Sequence, residues 1–286
     1  MNILEDLKLQ YKMGGIVQRL IFWNVGLFIL SLVFFYSFKT RDFSYPDWLA
    51  LNSSTTQFVT KPWTLFTYMF LHGSFLHLLF NMLVLHFSGR LFLTYFTGRQ
   101  LLGLYLLGGI FAGFMFLVAY YLLGMQSVLV GASGAIMAVL IATATYAPYM
   151  LLRIPLIGTV KLWQVTFVIV LLDLIQLPMN NTGGHVAHLG GALFGFIYVK
   201  LLQNGTDLSK GISKLQDGIE GLFSPKKKTP FKKVHKNTYQ KTTFTKTTQE
   251  KDIHQKKIDD ILDKISKSGY DSLSKEEKEF LFKVGK

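Results

Sequence analysis

Hydrophobic residues in the first 203 positions fall into long runs that are rarely interrupted by charge. The longest uncharged stretch covers residues 100–152. A membrane-spanning helix needs about 20 apolar residues, so this stretch is long enough to cross a bilayer twice and leave a connecting loop. Four further apolar runs cover residues 20–38, 75–93, 162–177 and 186–202. The pattern predicts six membrane-spanning helices within residues 20–203.

Basic residues predict the orientation of these spans, because cytoplasmic loops carry an excess of lysine and arginine. Such residues precede the first span, separate the second from the third and separate the fourth from the fifth: Lys8, Lys12, Arg19, Arg90, Arg99, Arg153 and Lys161. The loops after the third and fifth spans are uncharged. We therefore expect a cytoplasmic segment over residues 1–19, both termini in the cytoplasm, and a location in a bacterial inner membrane.

The C-terminal region has a different composition. Residues 204–286 contain 19 lysines, no arginine and 12 acidic residues, and so contribute +7 to the net charge of +13. The composition of residues 204–258 predicts a basic flexible linker, because a segment this polar buries too little apolar surface to fold stably. Residues 259–286 predict two short amphipathic helices, with Ser272 or Ser274 as an N-cap. Attraction to anionic headgroups explains the basic charge; nucleic-acid binding, the alternative, lacks recognisable base-reading groups.

The chain has no cysteine and seven histidines. The lack of cysteine excludes disulfides, a thiol nucleophile and thiolate-bound metal. Acidic residues are scarce in the membrane region, where Asp173 is the only one within a predicted span. We therefore expect neither a metal ion nor a cofactor.

Two polar side chains share one face of the second span. In the stretch HGSFLHLLFN, residues 72–81, His77 and Asn81 are four positions apart and so lie one helical turn from each other. Polar groups within a membrane usually face the interior of the bundle and find partners there. Taken singly, each residue is explained by hydrogen bonding between helices; together they provide two donors directed at one point.

Small residues at helical spacing predict that the fourth and sixth spans pack closely. One strip consists of Ala187, Gly191 and Gly195, and the other consists of Gly134, Ala138 and Ala142. Close packing of these strips would bring His188 to Ser133. A serine and a histidine at one depth, with hydrogen-bond donors nearby, form the arrangement of a nucleophile, a base and an oxyanion hole.

The stretches HGSFLHLLFN, GASGA and AHLGG occur in this order on the second, fourth and sixth spans. In this the chain resembles the rhomboid intramembrane serine proteases, over about residues 15–203. The resemblance implies an all-α, six-helix membrane bundle with a cytoplasmic tail. It implies Ser133 as the nucleophile, His188 as the general base, and His77 and Asn81 as the oxyanion-stabilising pair. His72 matches a recurrent histidine for which we expect a structural role.

The reaction implied by the resemblance is hydrolysis of a peptide bond in or near a transmembrane segment of a substrate protein. Two positions depart from the family pattern: Thr64 follows Trp63 where arginine is frequent, and Met137 stands where many relatives carry tyrosine. Neither change removes a reacting group. We expect a Ser–His dyad in which packing, and not the carboxylate of Asp173, holds His188.

Other functions remain open at this point. A catalytically inactive rhomboid-like protein that binds or escorts membrane helices would share the fold but lack the serine or the histidine, and this chain has both. A transporter or channel would need charged residues along a path through the membrane. The expected partners are transmembrane substrates and the lipid bilayer, and the sequence indicates no oligomeric state. We expect His185 to lie nearer the loop and the water than His188 does.

Overall fold

The computed structural model describes residues 2–155, 157–179, 181–223 and 246–284. The chain divides into two units, Met1–Lys226 and Lys227–Lys286. The described residues are mostly helical, as the sequence predicts.

Helices make up most of the first unit. They are α1 (Ile3–Met13), α2 (Gly15–Phe35), α3 (Thr55–Thr60), α4 (Thr64–Thr67), the 3₁₀ helix η1 (Tyr68–Phe70), α5 (Phe75–Phe92), α6 (Gly98–Leu123), α7 (Ser133–Tyr146), α8 (Leu162–Gln176), α9 (Thr182–Gln203) and α10 (Ser209–Phe223). Four of them, α2, α5, α6 and α9, are long and apolar enough to cross a membrane. The prediction of an integral membrane protein is thereby supported. Helices α7 and α8 are apolar but shorter.

Three small antiparallel sheets lie in the connections between helices. They pair β1 (Tyr36–Ser37) with β2 (Asp42–Phe43), β3 (Leu51–Asn52) with β4 (Val128–Leu129), and β5 (Leu151–Ile154) with β6 (Gly158–Lys161). The pair β3–β4 places Leu51 opposite Leu129. This pairing joins the connection after α2 to the segment that leads into α7.

Helix α7 lies at the centre of the bundle and packs on α5, α6 and α9. Ten of its 14 residues are buried. A Cβ atom at Gly191 would collide with the carbonyl oxygen of Gly134, and one at Gly195 would collide with that of Ala138. The close contact predicted between these two small-residue strips is confirmed.

Helix α10 extends the first unit beyond the boundary that we predicted at residue 203. Between α9 and α10, Asp207 accepts hydrogen bonds from Tyr198 Oη, from the backbone N–H and Oγ of Ser209, and from Gln100 Nε2. Burial opposes ionisation of this carboxyl, but the hydrogen bonds from Ser209 and its neighbours hold the pKa of Asp207 below its usual value. The connection after α9 is therefore an ordered part of this unit.

The predicted flexible linker over residues 204–258 differs from the structure at both ends. Residues 209–223 form α10, and residues 246–258 belong to the next helix, α11 (Lys246–Ser268). The amphipathic pattern of α10 was overlooked because lysines within and after this segment make it read as a polar linker. The rest of the predicted linker, residues 224–245, lies outside the described residues.

The second unit contains α11, the 3₁₀ helix η2 (Tyr270–Ser272) and α12 (Lys275–Val284). Ser274 precedes α12, and its Oγ accepts a hydrogen bond from the Glu277 N–H while the Glu277 carboxylate accepts one from the Ser274 N–H. This reciprocal pair is a capping box. Of the two N-caps that the sequence offers, the structure selects Ser274.

Candidate active site

Ser133 is the first residue of α7, and the chain reaches it through an unusual turn. Gly131 has φ +136°, a conformation that residues with a Cβ rarely adopt. Its N–H donates to the Tyr68 carbonyl oxygen at 3.0 Å. A Cβ at this position would lie 3.0 Å from His77 Nε2 and 3.6 Å from Ser133 Oγ. The missing side chain thus allows the His77 ring to approach Ser133.

The two polar residues of α5 present hydrogen-bond donors to the same place. Gly73 N–H donates to His77 Nδ1 at 3.4 Å. Because this nitrogen accepts, the proton of a neutral ring resides on Nε2, on the side of the ring that faces Gly131. Asn81 is 8% exposed, and its Nδ2 has no partner within the described part of the chain. Both residues therefore have a free N–H beside Ser133.

His72 lies behind His77. It is fully buried, and its ring centroid is 5.2 Å from that of His77 in an edge-to-face arrangement. Its backbone carbonyl accepts a hydrogen bond of 2.8 Å from Tyr45 Oη. Neither ring nitrogen of His72 has a partner in the described part of the chain, and the structural role expected for this residue stays a prediction.

His188 lies in the second turn of α9, and its ring contacts a carboxylate. The distance from His188 Nδ1 to Asp173 Oδ1 on α8 is 2.9 Å. A carboxylate only accepts hydrogen bonds, so Nδ1 carries the proton and Nε2 keeps a lone pair. Asp173 is 5% exposed. Our expectation that packing alone holds His188 is therefore wrong. The signal that we undervalued was an acidic residue inside a membrane span.

His185 also contacts Asp173, which the sequence did not lead us to expect. Its Nδ1 lies 2.7 Å from the same carboxylate oxygen, and its side chain is only 12% exposed, against 25% for His188. It is therefore the more enclosed histidine, contrary to our prediction. One ligand atom from each of the three residues lies within 4.8 Å of the others. These three residues could therefore hold a metal ion, whereas the sequence led us to expect none.

Two cavities, of about 400 and 360 Å³, meet at the candidate nucleophile. Ser133, Asn81 and His188 line both of them. The larger cavity continues between α5 and α8, where it is lined mainly by apolar side chains. The smaller one is bordered by His77 and by residues 128–130. No hydrogen bond joins Ser133 and His188 in the described part of the chain. In many enzymes the hydrogen bond between a nucleophile and its base becomes short only when substrate binds.

The two departures from the family pattern have different surroundings. Trp63 Nε1 donates to the Trp48 carbonyl at 2.9 Å, and Thr64 Oγ1 donates to the Lys61 carbonyl at 2.7 Å. Both bonds stay within the connection between α2 and α5. Met137 lies one turn after Ser133, is 6% exposed and lines the larger cavity. A flexible thioether fills such a position by packing.

The Rhomboid domain family matches residues 59–204, which is about half of the chain. The chain belongs to the rhomboid family. The matched region contains all of the residues that line the two cavities around Ser133. A second match, to a family of unknown function (DUF6576), covers residues 242–284 of this rhomboid.

Curated relatives carry the same family name. Presenilin-associated rhomboid-like protein A, mitochondrial, of Danio rerio is 35% identical over 133 residues. Presenilin-associated rhomboid-like protein, mitochondrial, of Homo sapiens is 33% identical over the same length. Each match covers 46% of this chain and 35% of the relative. The chain thus spans about a third of the relatives it matches, and the comparisons establish its family and not its reaction.

Proposed function

We propose that this rhomboid is an intramembrane serine endopeptidase that hydrolyses peptide bonds in or near transmembrane segments of membrane proteins. The observation that carries the proposal is the meeting of three groups at one cavity. Ser133 supplies a hydroxyl, Asn81 supplies an N–H that has no partner among the described residues, and His188 supplies Nε2 on a ring oriented by Asp173. The proposed reaction requires neither a metal ion nor a cofactor.

In the proposed mechanism Ser133 Oγ attacks the carbonyl carbon of the scissile bond while His188 Nε2 takes its proton. Asp173 stabilises the imidazolium that forms. The developing oxyanion accepts hydrogen bonds from His77 Nε2–H, Asn81 Nδ2–H and the N–H of Ser133. His188 then returns the proton to the leaving amine. Water hydrolyses the resulting ester and regenerates the hydroxyl.

The proposed topology has six spans, formed by α2, α5, α6, α7, α8 and α9, with both termini in the cytoplasm. Helix α7 has 14 residues and is about 21 Å long, whereas the hydrocarbon core is about 30 Å thick. Ser133, at its outer end, would then lie below the membrane surface in a cavity open to water. The relatives are named as mitochondrial proteins, which gives no support to the bacterial location that we expected.

A second candidate function is the binding of membrane helices without cleavage. The relatives are named presenilin-associated and rhomboid-like, which describes association and not hydrolysis. No hydrogen bond joins Ser133 and His188 among the described residues, which also fits a site that does not carry out catalysis. Both candidates have transmembrane proteins in a lipid bilayer as their partners.

The deciding experiment incubates the purified full-length chain in detergent with a model transmembrane substrate. We expect cleavage by the wild type and none by Ser133→Ala or His188→Ala, with melting temperatures close to that of the wild type. Ser88→Ala, at a buried serine of α5, is the matched control and should cleave normally. A fluorophosphonate probe should label Ser133 only when His188 is present. Substrate that copurifies uncut with both wild type and Ser133→Ala would instead establish the second candidate.

A further inference from the structure

The cluster of Asp173, His185 and His188 contains more ligating capacity than the proposed hydrolysis uses. Both histidines direct Nδ1 at the same carboxylate oxygen, at 2.7 and 2.9 Å. The other oxygen, Asp173 Oδ2, is buried and has no partner in the described part of the chain. Hydrolysis needs only the contact with His188. The second histidine and the unpartnered oxygen call for a separate explanation.

The donor set suits a divalent transition metal. Imidazole nitrogen and carboxylate oxygen are ordinary ligands of Zn²⁺, at about 2.0–2.2 Å, and three protein ligands leave a fourth tetrahedral position for water. Ligand atoms in such a site are about 3.3 Å apart. Side chains that now touch at 2.7 and 2.9 Å would therefore separate by about half an ångström. The unpartnered Oδ2 gives the carboxylate a second atom through which it could bind the ion.

Access and charge agree with the same ligand. All three residues line the cavity of about 400 Å³ that also contains Ser133, so an ion can reach them from that space. Asp173 is the only acidic or basic residue other than histidine along the described lining of this cavity. A buried carboxylate is costly unless it is paired or coordinates a metal. A cation would balance its charge more completely than two neutral imidazoles do.

We propose that Asp173, His185 and His188 bind a single Zn²⁺ ion, and that the bound ion reversibly blocks hydrolysis. An imidazole that binds metal through Nδ1 carries its proton on Nε2. His188 Nε2 would then be a donor and would no longer take the proton of Ser133. The blocking effect rests on the proposed function, whereas metal binding does not.

The binding test uses the purified full-length chain in detergent after chelator treatment, with Zn²⁺ as titrant in calorimetry and Co²⁺ as an absorption probe. We expect one ion per chain at this site and a d–d spectrum typical of tetrahedral cobalt. Loss of a ligand in His185→Ala or Asp173→Asn should weaken affinity at least about 10-fold. His86→Ala, at an exposed histidine of α5, and Ser133→Ala should bind as the wild type does. Equal affinity in His185→Ala and wild type would overturn the proposal.

The second test measures cleavage of the model substrate against Zn²⁺ concentration, with each variant normalised to its own metal-free rate. The wild type and His86→Ala should be inhibited over the concentration range of binding, and a chelator should restore the rate. His185→Ala should need at least about 10-fold more Zn²⁺ for the same inhibition. Acceleration by Zn²⁺, or inhibition that is unchanged in His185→Ala, would refute the blocking role. Binding without any cleavage by the metal-free wild type would reject the proposed function and leave the metal site standing.

Discussion

Helices α7 and α8 border the same cavity but are packed very differently. Ten of the 14 residues of α7 are buried, whereas only Leu162, Thr166 and Asp173 are buried among the 15 of α8. Helix α7 contacts helices on several sides, and α8 contacts mainly α9 and α7. Most of the residues of α8 are thus not buried within the protein.

This difference in packing means that Ser133 and His188 are held in position in two different ways. Ser133 is fixed through backbone contact of α7 with α9, which leaves little freedom to a helix that close-packed neighbours surround. The orientation of His188 depends instead on one carboxylate of a helix with few buried residues. The proposed nucleophile is therefore held by packing and the proposed base by a hydrogen bond.

The largest effect is expected where the packing of α7 is broken. Gly191→Ala would place a methyl group against the carbonyl oxygen of Gly134, and such overpacking costs about 3 kcal/mol or more when neither backbone can move away. We expect little folded protein and no cleavage. Gly26→Ala, at a helix position where a Cβ meets nothing within 4 Å, should melt at or above the wild-type temperature. Thermal unfolding of both variants in one detergent measures the contrast.

Asp173→Asn tests the contribution of α8. The amide no longer stabilises the His188 imidazolium and can present N–H groups to its Nδ1, so kcat should fall about 10³-fold. KM and the melting temperature should stay close to the wild-type values, which a purely structural role would not produce. Gln176 lines the same cavity from the same helix, and the control variant Gln176→Ala should retain most activity. An unchanged kcat in Asp173→Asn would mean that packing holds His188 after all.

The oxyanion donors on α5 give the next largest effect. Asn81→Ala and His77→Ala should each lower kcat about 10²–10³-fold, because hydrogen bonds to the developing oxyanion strengthen in the transition state. The remaining donors preserve some turnover, so both variants should stay above Ser133→Ala. Melting temperature and turnover should be measured on the same preparations. A lower melting temperature with normal turnover of the folded fraction would assign Asn81 to structure alone.

A further contrast between the two helices comes from matched leucines that line one cavity. Leu140 on α7 is 2% exposed and Leu172 on α8 is 49% exposed. Leu140→Ala should cost about 2–5 kcal/mol, and Leu172→Ala less than about 1 kcal/mol. Unfolding in a denaturing detergent measures both. Equal losses would show that α8 is held as firmly as α7 and would remove the contrast between them.

Much of the framework could be predicted from sequence because its causes are local. Long apolar runs indicate spans, and glycine and alanine at every fourth position mark a helix face, so the contact of Gly191 with Gly134 followed from spacing alone. The order of the three motifs carried the resemblance to the rhomboid family. The pairing of β3 with β4 could not be anticipated, since strands of two residues are too short to show alternation.

The residues around His188 were harder to predict because they depend on how two helices approach each other. Spacing along α9 places His185 and His188 near one face, but it does not reveal that Asp173 of α8 lies against both. Our preference for a dyad came from treating a single acidic residue as an exception. Its cost in a membrane was the physical reason to look for its partners. Helix α10 was missed because lysines obscure its apolar face.

The close fit of α9 against α7 also determines when the site can assemble during synthesis of the chain. A ribosome releases the chain from its N-terminus, so α5 with its donors and α7 with Ser133 emerge before the helix that carries His188. Until α9 is inserted, the glycine strip that contacts α7 is missing, and so is His188, the proposed base for the Ser133 hydroxyl. The proposed protease would therefore be inert towards neighbouring membrane proteins while it is being made.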